Sequence, residues 1–192
     1  DMARVEVLKG PQGNLYGRNA VAGVVNLVPN QPGAETEAFA RARIGNYSLY
    51  RVEAMGNTAV SDNFYLRGNI LSNQRDDYVT NLEGGRDPGS QENLVARLAG
   101  LWTISEQTQL QLSYDYDKVD NAPRGAIGVN PWSACPDDPF CGVVRNDVID
   151  GEETRDMYAV TGKLLHELND LCASKLIGSY RSFDTTTRHD ED

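Results

Sequence analysis

The sequence predicts an all-β protein: part of an antiparallel transmembrane barrel wall, preceded by a short compact segment. From residue 37 onward, apolar and polar residues alternate, which is typical of strands whose two faces meet different surroundings. No sustained 3.6-residue apolar repeat is present, and no run of 18 apolar residues occurs, so a membrane-spanning helix is excluded. After the first, the connections between predicted strands alternate between short and long, which is typical of transmembrane barrels.

The first 32 residues have a different pattern from the rest of the chain. Val5 and Val7 alternate with polar neighbours, which predicts a strand that ends at the turn formed by residues 10–13. An apolar run at residues 21–28 predicts a second, buried strand, which ends at Pro29 and Pro32. The glycines suit a compact segment inside another structure, because glycine permits positive φ and close backbone approach.

A glycine-rich turn after a strand is also typical of phosphate-binding loops. In those loops a Gly-Lys-Ser/Thr sequence ends the loop and begins a helix. Here Lys9 precedes the glycines and no such sequence follows them. The sequence therefore argues against a nucleotide site.

Seven strands are predicted for the barrel wall, and the fifth is the clearest. Within residues 109–117, leucine and tyrosine occupy every second position, while glutamine, serine and aspartate occupy the positions between them. A face as polar as the second is unusual in a sandwich core and natural in a water-filled lumen. The predicted strands lie at residues 37–45, 49–58, 63–78, 93–104, 108–120, 154–168 and 171–187.

The predicted connections differ between the two rims of the wall. One rim carries short turns at residues 59–62, 105–107 and 169–170. The other rim carries a short turn at residues 46–48 and two long loops, at residues 79–92 and 121–153. Seven strands are too few to close a polar-lined barrel, so they predict only part of a wall. Such a piece has two unpaired edges.

The overall charge limits the partners that the chain can have. The net charge of −10 argues against a nucleic-acid partner. Much of the negative charge lies in the predicted loop at residues 121–153, where solvation explains it. The mean hydropathy of −0.50 is compatible with transmembrane strands, because only alternate residues of such strands face lipid.

The sequence contains no recognisable catalytic or metal-binding arrangement. His166 and His189 are the only histidines, and neither lies in a nucleophile elbow or a zinc motif. Asp115 and Asp117 lie on the predicted lumen face, without the apolar pocket that acid–base catalysis by a carboxyl group needs. We therefore expect no enzymatic activity, no catalytic residues, no metal site and no cofactor.

The three cysteines divide into a close pair and a single residue. Cys135 and Cys141 can bridge a small loop, which would fit an oxidising compartment, and free thiols are the alternative. A zinc site is disfavoured because no histidine lies near them. Cys172, at the start of a predicted strand, is expected to be a small apolar filler.

Residues 6–20 resemble the C-terminal end of the plug domain of TonB-dependent outer-membrane receptors. They read Glu-Val-Leu-Lys-Gly-Pro-Gln-Gly-Asn-Leu-Tyr-Gly-Arg-Asn-Ala, and an apolar strand at residues 23–28 follows. The resemblance implies that residues 1–32 end a plug and that residues 37–192 are the first barrel strands of a longer protein. Plugged transporters use about 22 strands, so seven strands would make roughly a third of the wall. The residues singled out in this motif are Glu6, Gly10, Pro11, Gly13, Tyr16, Gly17, Arg18 and Asn19.

The resemblance implies a non-enzymatic importer in the outer membrane of a Gram-negative bacterium. The family takes up scarce, large nutrients, most often iron–siderophore complexes and also cobalamin, haem or glycans. TonB supplies the energy through an N-terminal box that is missing from this chain. The expected partners are therefore TonB, a siderophore-type ligand and outer-membrane lipid. Arg18 is expected to pair with wall carboxylates, and an ordinary solvated arginine is the alternative.

Candidates for substrate contact lie in the two long loops. In the first loop, Trp132 lies three residues before Cys135, and Phe140 directly precedes Cys141. The loop at residues 80–92 is the second candidate. An aromatic residue on a stiffened loop suits capture of a chelate or sugar, because little loop entropy is lost on binding. A glycan, haem or cobalamin importer of the same family is one rival. A soluble all-β carbohydrate-binding module is the other, and its strand faces would alternate between core and solvent.

Overall fold

A computed structural model describes residues 1–123, 138, 141–148, 151–169 and 171–188. These residues form strands and one single-turn helix, and no helix among them is long and apolar enough to cross a membrane. The elements are β1 (Met2–Lys9), α1 (Gly13–Tyr16), β2 (Gly23–Pro29), β3 (Glu37–Gly45), β4 (Leu49–Ser61), β5 (Phe64–Arg75), β6 (Thr80–Asn81), β7 (Gln91–Ser105), β8 (Thr108–Asn121), β9 (Val143–Val144), β10 (Glu152–Asn169) and β11 (Cys172–Arg188).

Seven of the strands form one antiparallel sheet in the order β3-β4-β5-β7-β8-β10-β11. Neighbours in this sheet follow one another along the chain, apart from the small strands β6 and β9, and β3 and β11 are its two edges. All seven predicted wall strands are present, and the all-β prediction is confirmed. The third is shorter than predicted, because the chain leaves the sheet after Arg75, where the Asp76 N–H donates to the Tyr47 carbonyl at 2.8 Å.

The two faces of this sheet differ as the alternation predicts. One face, here called inward, meets the N-terminal hairpin and carries Arg67, Ser113 and other polar side chains. The opposite face, here called outward, carries leucine, tyrosine, tryptophan and glycine. Cross-strand pairing aligns these residues in rows. For example, Trp102 lies opposite Phe64 on one side and opposite Leu110 on the other.

β1 and β2 form a separate antiparallel hairpin with Glu6 opposite Asn26. Gly17, with φ of +94°, and Gly23, where a Cβ would lie 2.6 Å from the Leu8 carbonyl oxygen, both require glycine. The prediction that β2 is buried was wrong, since Val25 and other large apolar side chains of β2 are exposed. The physical reason is that β2 pairs only with β1 among the described residues.

Candidate functional site

The two long loops meet at the rim of the sheet that carries them. β6 belongs to the loop between β5 and β7, β9 belongs to the loop between β8 and β10, and the two strands pair in parallel. The Thr80 N–H donates to the Gly142 carbonyl and the Leu82 N–H donates to the Val144 carbonyl, each at 2.9 Å. The described parts of the two loops therefore form one unit, which we call the loop platform.

Two buried asparagines hold the loop platform together. The Asn81 side-chain amide donates to the Asn146 carbonyl at 2.8 Å, and the Asn146 N–H donates to Asn81 Oδ1 at 3.0 Å. The Asn81 N–H donates to Asp87 Oδ1 at 2.6 Å. A buried amide that bonds through both its ends fixes the register of two segments, because each alternative arrangement leaves a buried polar group unpaired. The platform is therefore stiff near Asn81.

A cavity of about 500 Å³ opens at the same rim. Gln91, Asn121 and Glu153 stand opposite one another on β7, β8 and β10, and they continue the inward row that begins at Arg75. The cavity thus lies at the mouth of the inward side. Its lining consists of Arg75, Tyr78, Val79, Pro88, Gly89, Ser90, Gln91, Asn121, Ala122, Pro123 and Glu153.

One cation and one aromatic ring line this cavity, and a second ring contacts the first. The Arg75 guanidinium carbon lies 5.0 Å from the centre of the Tyr78 ring, and the Tyr47 ring lies 6.0 Å from that of Tyr78. Arg75 Nη2 donates to the Gly89 carbonyl at 3.1 Å. A Cβ at Gly89 would lie 2.5 Å from the Tyr78 ring, so a side chain there would displace the ring. A guanidinium beside aromatic faces suits a planar, anionic ligand.

Two further cavities lie away from this rim. One, of about 320 Å³, is an apolar groove on the outward face near Trp102 and Leu112. The other, of about 460 Å³, separates the hairpin from the inward face and is lined by Arg4, Lys163 and Lys175 among others. Neither combines an aromatic ring with a cation as the rim cavity does. Among the described residues, no cluster of histidine, cysteine or carboxylate side chains can hold a metal ion.

The structure describes only part of the predicted substrate loop. Trp132, Phe140 and Cys135 lie outside the described residues. Cys141 is disulfide-bonded, and Cys172 is free and exposed at the start of β11. The expectation that Cys172 fills an apolar space was therefore wrong, since it lies on a strand at the edge of the sheet.

The plug-like motif occupies the hairpin and its turn. Gly10 and Gln12 bond across the turn to Ala22 and Ala20, and Tyr16 lies in α1. Arg18 is exposed in this turn, and no ion pair joins it to the sheet within the described part of the chain. Its expected pairing with the wall stays a prediction. The motif positions Pro11, Gly13, Gly17 and Asn19 lie in the same turn.

Glu6 makes contacts within the hairpin. Its carboxylate accepts hydrogen bonds from Asn26 Nδ2 at 2.8 Å and Arg4 Nε at 2.6 Å. The Asn26 hydrogen bond, followed by the Arg4 hydrogen bond, lowers the pKa of the Glu6 carboxyl below its usual 4.5.

A contact between hairpin and sheet is formed by a residue that sequence reasoning did not single out. Arg67 of β5 binds the Asp1 carboxylate. The alternation placed Arg67 on the polar face, but nothing in the sequence connects it with a carboxylate 66 positions earlier.

Known proteins resemble this chain both in sequence and in fold. No family model matches the chain. In sequence, the chain is 29% identical over 185 residues to the metal-pseudopaline receptor CntO of Pseudomonas aeruginosa, covering 93% of this chain and 24% of that protein. It is 29% identical to the catecholate siderophore receptor Fiu of Escherichia coli, covering 87% and 23%. It is also 29% identical to BfrD of Bordetella pertussis, named a probable TonB-dependent receptor, covering 88% and 22%.

Solved structures share the fold. The ferric yersiniabactin uptake receptor FyuA of Yersinia pestis matches with a TM-score of 0.81 at 18% identity, covering 99% of this chain and 30% of that one. The open form of Fiu matches with a TM-score of 0.75 at 22% identity, covering 95% and 29%. This chain thus spans about a quarter of its relatives' length. The resemblance to TonB-dependent receptors is confirmed, and the fold is that of part of their barrel and plug.

Proposed function

We propose that the chain is a segment of a TonB-dependent receptor of the outer membrane that imports an iron–siderophore complex. In this proposal residues 1–32 end the plug and residues 37–192 begin the barrel. The relatives are named for a metal-pseudopaline complex and for catecholate siderophores, which supports a chelated metal ion as the substrate. TonB would act through a segment outside this chain.

The observation that carries the proposal is the cavity beside the loop platform. The long loops join above the strands that supply Gln91 and Asn121, so ligand and loops would meet at the mouth of the lumen. A stiff platform lowers the entropy cost of binding, because fewer side chains are immobilised when the ligand arrives. The rim faces the cell exterior if the hairpin enters from the periplasm.

Arg75 and Tyr78 are the proposed ligand-contacting pair. Ferric siderophore complexes are commonly anionic and carry flat chelating groups, which a guanidinium and an aromatic ring can contact together. Arg75 Nε is buried and has no hydrogen-bond partner among the described residues, so this guanidinium keeps one N–H without an acceptor. Lysine at this position would keep the charge and lose the planar fork.

The test uses the full-length receptor purified in detergent, with ferric complexes of 2,3-dihydroxybenzoate and of desferrioxamine as probes. We expect R75A to weaken binding of the preferred complex about tenfold, equivalent to ~1.4 kcal/mol, and R75K to weaken it less. N81A should weaken binding as well, because it separates the two loops. N63A, a change at the opposite rim, is the matched control and should leave binding unchanged.

The same assay distinguishes the rival substrates. Binding of haem, cobalamin or an oligosaccharide with neither ferric complex bound would replace the siderophore proposal by another importer of the same fold. Wild-type affinity in R75A and N81A would place the ligand elsewhere. The outward face, which exposes large apolar side chains in rows, argues against the soluble carbohydrate-binding module.

A further inference from the structure

The open end of the N-terminal hairpin is fixed to the seven-stranded sheet by Arg67. Its side chain is only 5% exposed, and that of Asp1 is 8% exposed. Arg67 Nε donates to Asp1 Oδ2 at 2.5 Å, and Nη2 donates to Asp1 Oδ1 at 3.0 Å. This is a two-bond pairing between guanidinium and carboxylate, which fixes orientation as well as distance.

The same guanidinium reaches a third segment. Arg67 Nη1 donates to Glu37 Oε1 at 2.6 Å, and Glu37 is the first residue of β3. Arg67 therefore links the start of the hairpin, the start of the first wall strand and its own strand β5. A lysine has one compact ammonium and cannot match these acceptors with a planar fork. The carboxylates compensate a charge that would otherwise be buried without a partner.

Asn57 lies beside Arg67 and holds the connector between hairpin and sheet. The two residues are cross-strand partners on β4 and β5, and Asn57 is 4% exposed. Asn57 Oδ1 accepts from the Gly33 N–H at 3.1 Å, while Nδ2 donates to the carbonyls of Gly33 at 3.0 Å and Glu35 at 2.5 Å. The connector is thus bound through its backbone.

Both strands of the hairpin are tied at this point. Asn30, just after β2, donates from Nδ2 to Asp1 Oδ1 at 2.5 Å. Asp1 precedes β1, so the Asp1 carboxylate joins the two ends of the hairpin before Arg67 joins them to the sheet. The tip of the hairpin, with Arg18, has no comparable contact to the sheet among the described residues.

We propose that Arg67 and Asn57 form an anchor that holds the end of the plug on the barrel wall and keeps the lumen closed. This inference rests on the proposed function, since it takes the hairpin as plug and the sheet as wall. The contacts are concentrated at one end of the hairpin, so the anchored end stays with the wall and movement of the plug takes place away from it. Arg67 is a positioning residue, and the ligand does not touch it.

The test measures leakage through the full-length receptor in the outer membrane of a host without related receptors. The probe is a glycopeptide antibiotic such as vancomycin, which intact outer membranes exclude. We expect R67A and D1N each to raise antibiotic uptake several-fold per folded receptor, and N57A to raise it in the same direction. R67K should rescue only part of the closure. The double variant R67A/D1N should leak no more than R67A, because both changes remove the same contact.

R97A is the matched control, because Arg97 is another inward arginine whose partner, Asp115, belongs to the sheet itself. It should not leak. Misfolding would lower antibiotic uptake, because fewer folded barrels would be present in the membrane. The heat-resistant form on gels measures the amount of folded barrel. Leakage of R67A equal to that of R97A would overturn the anchor, as would additive leakage in R67A/D1N. Failure of the proposed function is separate: wild-type receptor would then bind no ferric complex, whatever the leakage.

Discussion

The two faces of the seven-stranded sheet are built from alternate residues of the same strands, yet their burial is the reverse of that in a water-soluble sheet. Leu112 on the outward face is 53% exposed, whereas its neighbour Ser113 on the inward face is 7% exposed. Arg67, Asn57 and Asn73 are likewise buried on the inward side. Exposed apolar and buried polar side chains are favourable only if the outward surroundings are hydrocarbon and the inward ones are protein and water.

The outward face also changes along its height. Trp102 and Phe64 lie side by side near the short turns. Towards the long loops, the rings of Tyr158 and Tyr180 stand 6.1 Å apart, and in the next outward row beyond Tyr158, Asp156 pairs with Asp184. Tryptophan and tyrosine rings, which have one polar tip, suit membrane interfaces, so in the proposed receptor the apolar rows between Trp102 and Tyr158 would span the hydrocarbon.

The largest effect is expected from placing a charge on the outward face. L112R in the full-length receptor should lower the free energy of unfolding by about 2–4 kcal/mol, the cost of arginine near the middle of a bilayer. Q109R changes the inward face of the same strand, where a cavity of about 460 Å³ has room for the longer side chain; it should cost less than L112R even with Arg4, Lys163 and Lys175 at that cavity, because water there screens the like charges. Urea unfolding in lipid vesicles, followed on gels, measures both.

Equal losses of unfolding free energy in L112R and Q109R would contradict the contrast between the two faces, because both faces would then have similar surroundings. A larger loss in Q109R than in L112R would reverse it and favour the soluble module. The two positions lie on the same strand and receive the same new residue, so a difference between the two losses reports the difference between the two faces.

A smaller effect is expected from an inward ion pair. Arg97 of β7 binds Asp115 directly opposite on β8, and the two side chains are 20% and 29% exposed. Water on the inward side screens such a pair, so the coupling between R97A and D115A should be about 1 kcal/mol or less in a double-mutant cycle. A coupling of several kcal/mol would mean that the inward face is dry at this level.

Strand positions and faces could be predicted because they depend on a local pattern. Alternation within residues 109–117 identified β8 and both of its faces, and the plug-like motif identified the hairpin. The contact between Arg67 and Asp1 could not be predicted, because it depends on how the hairpin sits on the sheet. Pairing of the loops through Asn81 and Asn146 could not be predicted for the same reason: a single amide carries no signal for a partner 65 residues away.

The smallest effect is expected at Glu6, where the sign of a pKa shift reports the surroundings of the hairpin. Hydrogen bonds from Asn26 and Arg4 lower the pKa of the carboxyl below 4.5, whereas an apolar environment would raise it. The folded pKa is thus below the unfolded one, so the stabilisation is present above pH 4.5 and is lost as the pH falls through the folded pKa. Carboxyl ¹³C NMR of the full-length receptor should show the lowered pKa in wild type and a value nearer 4.5 in N26A, with R4A shifting it less. A wild-type value above 4.5 would place the hairpin in apolar surroundings, and the inward side could not then be the wet one.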